Sequence, residues 1–200
     1  MADLFEEKAR DWDTNEMITA LSAGIGSAIV ERIPLSSDMT VMDFGAGTGL
    51  ISAHIAPHVN RITAVDVSES MLEKLAAKPE LQGKVEVCCQ DILEEPLEQE
   101  FDLIVSAMAL HHVEDTQKLF RHFADSLRPG GRVALADLDK EDGTFHPAGV
   151  EGVFHHGFER DALESLMREQ GYSNIQFSTA HVVNKEEGDY PIFLVTAVWQ

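Results

Sequence analysis

Val41-Met42-Asp43-Phe44-Gly45-Ala46-Gly47-Thr48-Gly49-Leu50 is the stretch whose reading decides the fold. Apolar residues lead into an acid, and three glycines follow at every second position. The run Thr40 to Phe44 predicts a buried strand. From Thr48 to about Ala56 the pattern is helical, with Pro57 closing it. Between them the backbone must turn sharply and leave room for a ligand. Glycine permits both, because it has no Cβ. A strand, a glycine turn and a helix N-terminus together make a nucleotide-binding corner.

Outward from this corner, strands and helices alternate. A helix is expected from Thr14 to Ile33, ending at Pro34. Strands are expected at Arg61 to Asp66, Lys84 to Cys89, Phe101 to Ala107 and Gly131 to Leu138. Helices fit at Ser68 to Ala77 and Asp115 to Leu127, with Ser68 and Asp115 as N-caps. The connection from Cys89 to Phe101 is too short for a helix. Such alternation predicts right-handed crossovers and a parallel sheet covered on both faces. The last third differs. After a helix from Asp161 to Gln170, the runs Asn174 to Val183 and Tyr190 to Trp199 predict an antiparallel hairpin around Asn184 to Asp189.

Two hundred residues suit one domain with a real core. No apolar stretch is long enough to cross a bilayer, and the acidic start lacks a signal-peptide core. Cys88 and Cys89 are adjacent, so a disulfide between them is implausible. Reduced, buried thiols in a cytoplasmic protein are expected. Fifteen basic residues against 35 acidic ones give a net charge of −20. That field repels phosphate backbones and anionic lipid, so neither nucleic acid nor membrane is expected as a partner. The same acids also serve simply to keep a protein in solution.

The glycine spacing discriminates among nucleotide cofactors. A dinucleotide fingerprint needs its third glycine at position 50, which is Leu50; Gly49 comes one residue early. The Gly-Lys-Ser/Thr ending of a triphosphate loop is absent. Asp43 suits a ligand with a positive group and is poor company for pyrophosphate. Asp66, at the end of the second strand and 23 residues after Asp43, stands where a ribose-binding acid belongs. It could also merely cap the next helix.

Six segments in this order and spacing resemble the class I S-adenosylmethionine-dependent methyltransferases, most closely the small-molecule subgroup that includes the quinone-biosynthesis enzymes. They are Asp43 to Gly49, Asp66 to Met71, Gln90-Asp91-Ile92, Phe101 to Ser106, His111-His112-Val113 and Leu127 to Gly131. The resemblance implies a Rossmann-like α/β fold: a seven-stranded sheet, mostly parallel, with an antiparallel C-terminal hairpin and helices on both faces. It implies S-adenosylmethionine as cofactor and S-adenosylhomocysteine as product. Asp43 and the turn Gly45, Ala46, Gly47 and Gly49 would hold the methionine part, and Asp66 the ribose. Val67 and Met71 would sandwich the adenine, and Asp91 and Ile92 would meet its edge. Ser106 and Ala107 would border the methionine part and the sulfonium. Met71 could equally be ordinary helix packing.

Methyl transfer asks mainly for alignment and exclusion of water. A protic acceptor also needs a base, most often histidine. Ligands bind outside the carboxyl ends of parallel strands. His111 and His112 follow the fourth strand, and Asp137, Asp139 and His146 the fifth, with His155 and His156 beyond. His111, His146 and His155 are the candidate catalytic groups, each open to a structural reading. No metal is expected, because no tight ligand spacing occurs. Trp12 either lids the cofactor or packs into the core.

Residues 1–34 are thus expected as a helical lid, 40–138 as the cofactor core, and 139–200 as substrate-side loop, helix and hairpin of a single domain. Ser106-Ala107-Met108-Ala109 stands where amide- and adenine-methylating types carry Asn/Asp-Pro-Pro-Tyr, and neither cysteine follows a proline. A soluble small-molecule acceptor is therefore expected, with Phe145, Phe154 and Phe158 as pocket or core. The protein is expected to be a monomer or homodimer. The alternatives are a non-catalytic S-adenosylmethionine-binding partner or sensor, and a nicotinamide oxidoreductase.

Overall fold

The computed structural model describes residue 3, residues 5–147 and residues 149–200. Its elements run α1 (Glu6–Ala9), a 3-10 turn (Trp12–Thr14), α2 (Glu16–Arg32), β1 (Thr40–Phe44), α3 (Leu50–Ile55), β2 (Arg61–Asp66) and α4 (Glu69–Ala76). There follow β3 (Val85–Cys89), β4 (Phe101–Ala107), a 3-10 turn (Leu110–His112), α5 (Thr116–Asp125), β5 (Leu127–Leu138), α6 (Arg160–Glu169), β6 (Tyr172–Lys185) and β7 (Gly188–Trp199).

The strands form one sheet in the order β3-β2-β1-β4-β5-β7-β6. The first five are parallel, and β7 runs antiparallel between β5 and β6. The expected Rossmann-like sheet is therefore present, with the hairpin closing one edge.

Alternation along each buried strand divides the core in two. Val41 of β1 with Ala134 and Ala136 of β5 face a cluster that includes Leu21, Ile25 and Ile29 of α2, Ile51 and Ile55 of α3 and Leu72 and Leu75 of α4. Met42 of β1 with Val133 and Leu135 of β5 face the other, built on Leu119, Phe120 and Phe123 of α5 and Leu163 and Met167 of α6. Parallel strands covered on both faces read as continuous apolar runs, and β1, β4 and β5 do so.

The caps follow side-chain chemistry. Asn15 accepts from the amides of Met17 and Ile18 and so starts α2. Ser68 and Asp115 cap α4 and α5 as expected. Three local expectations are corrected. The first crossover helix begins at Leu50, because Gly49 stands before it in a left-handed conformation (φ +82°). The terminal strands are longer than expected and pair down to Lys185 and Gly188, leaving only Glu186 and Glu187 at the tip. The thiols expected to be buried are not: Cys88 is half-buried and Cys89 exposed. The reason is position, since β3 is an edge strand and most of its residues meet solvent.

Phe123 is fully buried, edge-on to Phe44 of β1 (5.2 Å between ring centres) and to Phe120 (6.1 Å). Truncation there removes a large apolar volume that a packed sheet cannot refill. Phe123→Ala is expected to lower unfolding free energy by about 3–5 kcal/mol, read from the urea midpoint at unchanged slope.

Candidate active site

The sheet changes its direction of growth between β1 and β4, and ligands of open α/β sheets bind at such a point. The glycine turn lies there. Gly45 has φ +67°, and a Cβ on it would sit 2.3 Å from Cβ of Ala109, so only glycine lets the loop after β4 come this close. Gly47 also has positive φ (+53°), yet a Cβ there would meet nothing within 4 Å. Gly47 therefore borders open space, with its backbone bare toward it. Ala46 is buried in the core beneath the turn.

Two carboxylates frame this space. Asp43 is buried at the end of β1, and its Oδ2 accepts from Ser52 Oγ of α3 at 2.6 Å. Burial is the main cause that pushes its carboxyl up to about 7; the Ser52 hydroxyl opposes this, and the nearby charge of Asp66 adds to it. Such a group gains from a cation. Asp66 accepts from Gly47 N at 2.7 Å and from Ser68 N at 2.9 Å. Burial holds its pKa above the ordinary value against these bonds. The capping reading of Asp66 and the ribose reading are compatible, since each carboxylate oxygen has a second lone pair.

The other predicted cofactor residues divide. Val67 is 64% exposed although apolar, an open platform beside Asp66. Met71 is 2% exposed and lies inside, so the structure does not open both faces of the expected sandwich. Asp91 is exposed and accepts from Leu93 N at 2.9 Å, holding the short turn after β3. Ile92 is core. Ala107 is half-buried, and Ser106 is fully buried with an Oγ that finds no partner. Just beyond, Met108 adopts φ +57°, a costly conformation for a side chain of its size.

The N-terminal segment closes over this corner by contacts that sequence inspection missed. Asp3 Oδ2 accepts from Ser68 Oγ (2.9 Å), Ser70 Oγ (2.7 Å) and Ser70 N (3.2 Å). Asp13 accepts from Thr48 Oγ1 and pairs with Lys78 Nζ at 2.7 Å. Phe5 lies edge-on to both Trp12 and His112. Trp12 is half-buried within this segment and is absent from both core clusters.

The loop from Asp139 to Glu159 carries the histidines and is held by its own acids. Asp139 takes a two-pronged bond from Arg160 Nε and Nη2, both 2.7 Å. One oxygen of Glu141 accepts from the amides of Gly143, Thr144 and Phe145. The loop then doubles back onto the 3-10 turn after β4. Phe154 N donates to His111 O, His112 Nδ1 contacts Gly152 O, and His155 Nε2 contacts Val113 O. His155 is thus engaged with backbone, whereas His111 and His146 meet at 3.2 Å between their Nε2 atoms. His111 Nδ1 contacts Asp137 Oδ1 at 2.7 Å. Burial, with neighbouring His111 next in weight, lowers both His112 and His146 to about 4. Phe145 is core against Tyr190, Phe158 is half-buried and Phe154 is exposed.

A separate cleft of about 380 Å3 lies at the amino ends of the strands, lined in part by Asp38, Arg128 and Arg132. Its Arg128 is engaged by Asp102 at 2.7 Å, and the cleft shares no residue with the groups above. Among the described residues no cluster of three or more His, Cys, Asp or Glu could hold a metal ion.

Residues 41–131 match the family described as a methyltransferase domain. An uncharacterized methyltransferase of Schizosaccharomyces pombe is 34% identical over 170 residues, covering 76% of this chain and 58% of that protein. A ubiquinone biosynthesis O-methyltransferase of Coxiella burnetii is 33% identical over 102 residues, covering 50% of this chain and 44% of that protein. The chain thus spans less than two thirds of these two relatives. Phosphoethanolamine N-methyltransferase 2 of Haemonchus contortus, in complex with S-adenosyl-L-methionine, shares the fold with a TM-score of 0.71 at 17% identity, over 98% of this chain and 60% of that one.

The residues at this corner fit that cofactor. A buried carboxylate lies behind the glycine turn, Gly47 borders open space, and an acid and an exposed apolar side chain stand side by side where sugar and base would lie.

The raised pKa of Asp43 has a sign that can be checked. Its folded-state value lies above the unfolded one, so its contribution to stability is complete below about 3.8 and is lost as pH rises to about 7. Asp43→Asn is therefore expected to raise Tm relative to the parent at pH 8, by less at pH 5, and not at all below the unfolded value of about 3.8. Calorimetry on the same variant should show weaker binding of S-adenosylmethionine.

Proposed function

We propose that this protein transfers a methyl group from S-adenosylmethionine to an oxygen, nitrogen or sulfur atom of a soluble small molecule. The observation that carries the reading is the pairing at one turn of buried Asp43 with Asp66, which accepts from Gly47 N. When bound, the cofactor supplies a methyl group already activated by its positive sulfur. The solved Haemonchus neighbour holds that compound, which supports the same choice here.

In this reading Asp43 and the open face of the glycine turn at Gly47 receive the amino-acid part, and Asp66 receives the ribose hydroxyls. Val67 supports the base. Ser106 Oγ, buried and unpaired, offers a polar contact at the end of β4. Residues 1–34 act as a lid, 40–138 as the cofactor core and 139–200 as the acceptor side. Phe5 and Trp12 exclude water above the corner, which favours displacement at carbon over side reactions. The net charge of −20 supports a neutral or cationic acceptor over nucleic acid. That charge, the unpaired thiols and the absence of any described helix long and apolar enough to cross a membrane support a cytoplasmic setting.

Two measurements test this reading. Titration calorimetry with S-adenosylmethionine and S-adenosylhomocysteine should give heat from both, and label from the methyl group should pass to a component of a metabolite extract. Heat without label transfer would leave a cofactor-binding sensor, and no heat would remove the cofactor. Asp66→Ala should weaken binding of either compound by about 1–3 kcal/mol through lost charged hydrogen bonds; an unchanged Kd would take Asp66 out of the site.

A further inference from the structure

Asp137 is 0% exposed on β5, an acid set in the apolar run Val133 to Leu138. A carboxylate so placed must be saturated with donors. Its Oδ1 faces His111 Nδ1 at 2.7 Å and accepts from Leu138 N at 2.7 Å, and its Oδ2 accepts from His111 N at 3.2 Å. An ionised acid is acceptor-only, so His111 must present a proton on Nδ1. Its Nε2 is then the free end of the ring. That end faces His146 Nε2 at 3.2 Å, a separation with room for one shared proton.

We propose that Asp137, His111 and His146 form a proton relay for a protic acceptor, with His146 as the base and His111 and Asp137 as positioning residues. The proposal rests on the methyl-transfer reading above. In the resting state the shared proton sits on His146 Nε2, leaving His146 Nδ1 bare. As the methyl group leaves sulfur for the acceptor atom, the acceptor's O–H, S–H or N–H proton passes to His146 Nδ1. The Nε2 proton of His146 moves to His111 Nε2, and the imidazolium so formed lies against Asp137. Product departure returns one proton to solvent through His146. No proton is gained or lost over the cycle beyond the one the acceptor releases.

Surrounding charges favour this direction. Burial first, then His111, His112, Lys185 of β6 and Lys8 of α1 oppose a positive charge on His146, whereas His111 has a carboxylate against it. The location also fits. His111 belongs to the turn that follows Ala109, which packs on Gly45, and the neighbouring ring of His112 meets Phe5 of the lid. The relay thus serves acceptors whose attacking atom carries the proton to be lost, such as a phenol, enol, thiol or protonated amine, over heteroatoms that bear none.

Nitrogen-15 spectra of labelled histidine in the free protein, between pH 5 and 8, read the relay without any cofactor. The parent should show His111 protonated at Nδ1. Asp137→Asn should abolish that tautomer preference, and His146→Ala, at a half-buried position, should shift His111 Nε2. A bare Nδ1 on His111, or spectra unmoved by both variants, would overturn the relay whether or not the protein methylates anything. With an acceptor taken from the labelled extract, His146→Ala should lower kcat about 100-fold near pH 7. The loss should shrink as pH rises past the acceptor's own pKa, while the Kd for S-adenosylhomocysteine is unchanged. A loss constant across pH would also overturn it. Absence of cofactor heat instead sinks the parent reading and leaves the spectra to judge the relay.

Discussion

Between β1 and β4 the sheet stops growing one way and starts growing the other, and the glycine turn is set at the gap that results. The chains leaving the two strands must diverge, so neither covers the space between them. What keeps the gap from collapsing is the close packing of Gly45 against Ala109, a contact that a single methyl group on the glycine would break. Asp66 adds a second tie, joining the glycine turn to the start of α4 through two backbone amides. The corner is consequently stiff before any ligand arrives, which reduces the ordering cost of binding.

Much of this was legible from local pattern. Period-two and continuous apolar runs located the strands, and Ser68 and Asp115 announced their helices through cap chemistry. The glycine corner could be read because its geometry resides in one short stretch, Thr40 to Leu50, with Asp66 one crossover later. Helix and strand ends were less legible. Gly49 looked like part of a helix but takes a left-handed conformation before it, and Lys185 looked like loop but pairs with Gly188. Those outcomes depend on backbone angle and on partner strands, which composition does not display. Met71 shows the same limit: an amphipathic helix tells that a residue faces inward, not whether a base or the core meets it.

The histidines illustrate the harder case. Several followed strand ends, so all had an equal claim. They are separated by the path of the loop after β5, and that path depends on distant contacts: Asp139 on Arg160, and His112 and His155 on backbone carbonyls. Gly157 lets this loop lie against Asp139, where a Cβ would come within 2.1 Å of its carbonyl oxygen. Asp137 carried the one clear signal. An acid inside an otherwise apolar strand is expensive unless something buried answers it, and here His111 does. The N-terminal segment was half legible, since Trp12 drew notice while Asp3, Phe5 and Asp13, which tie the segment to α4, Trp12 and Thr48, looked like ordinary surface.

The terminal ribbon has a role beyond closing the sheet. Lys185, at its far end, sends its ammonium over the ring of Phe145 (3.9 Å to the centre) and onto the carbonyl of the same residue, one position before His146. Each residue of strand advances about 3.3 Å, so a two-residue slip of the ribbon would carry that ammonium roughly 7 Å from its seat. The hairpin therefore works as a measuring rod: its length sets where the chain meets the loop after β5, and a structural edge far from the glycine corner holds one of that loop's histidines in register.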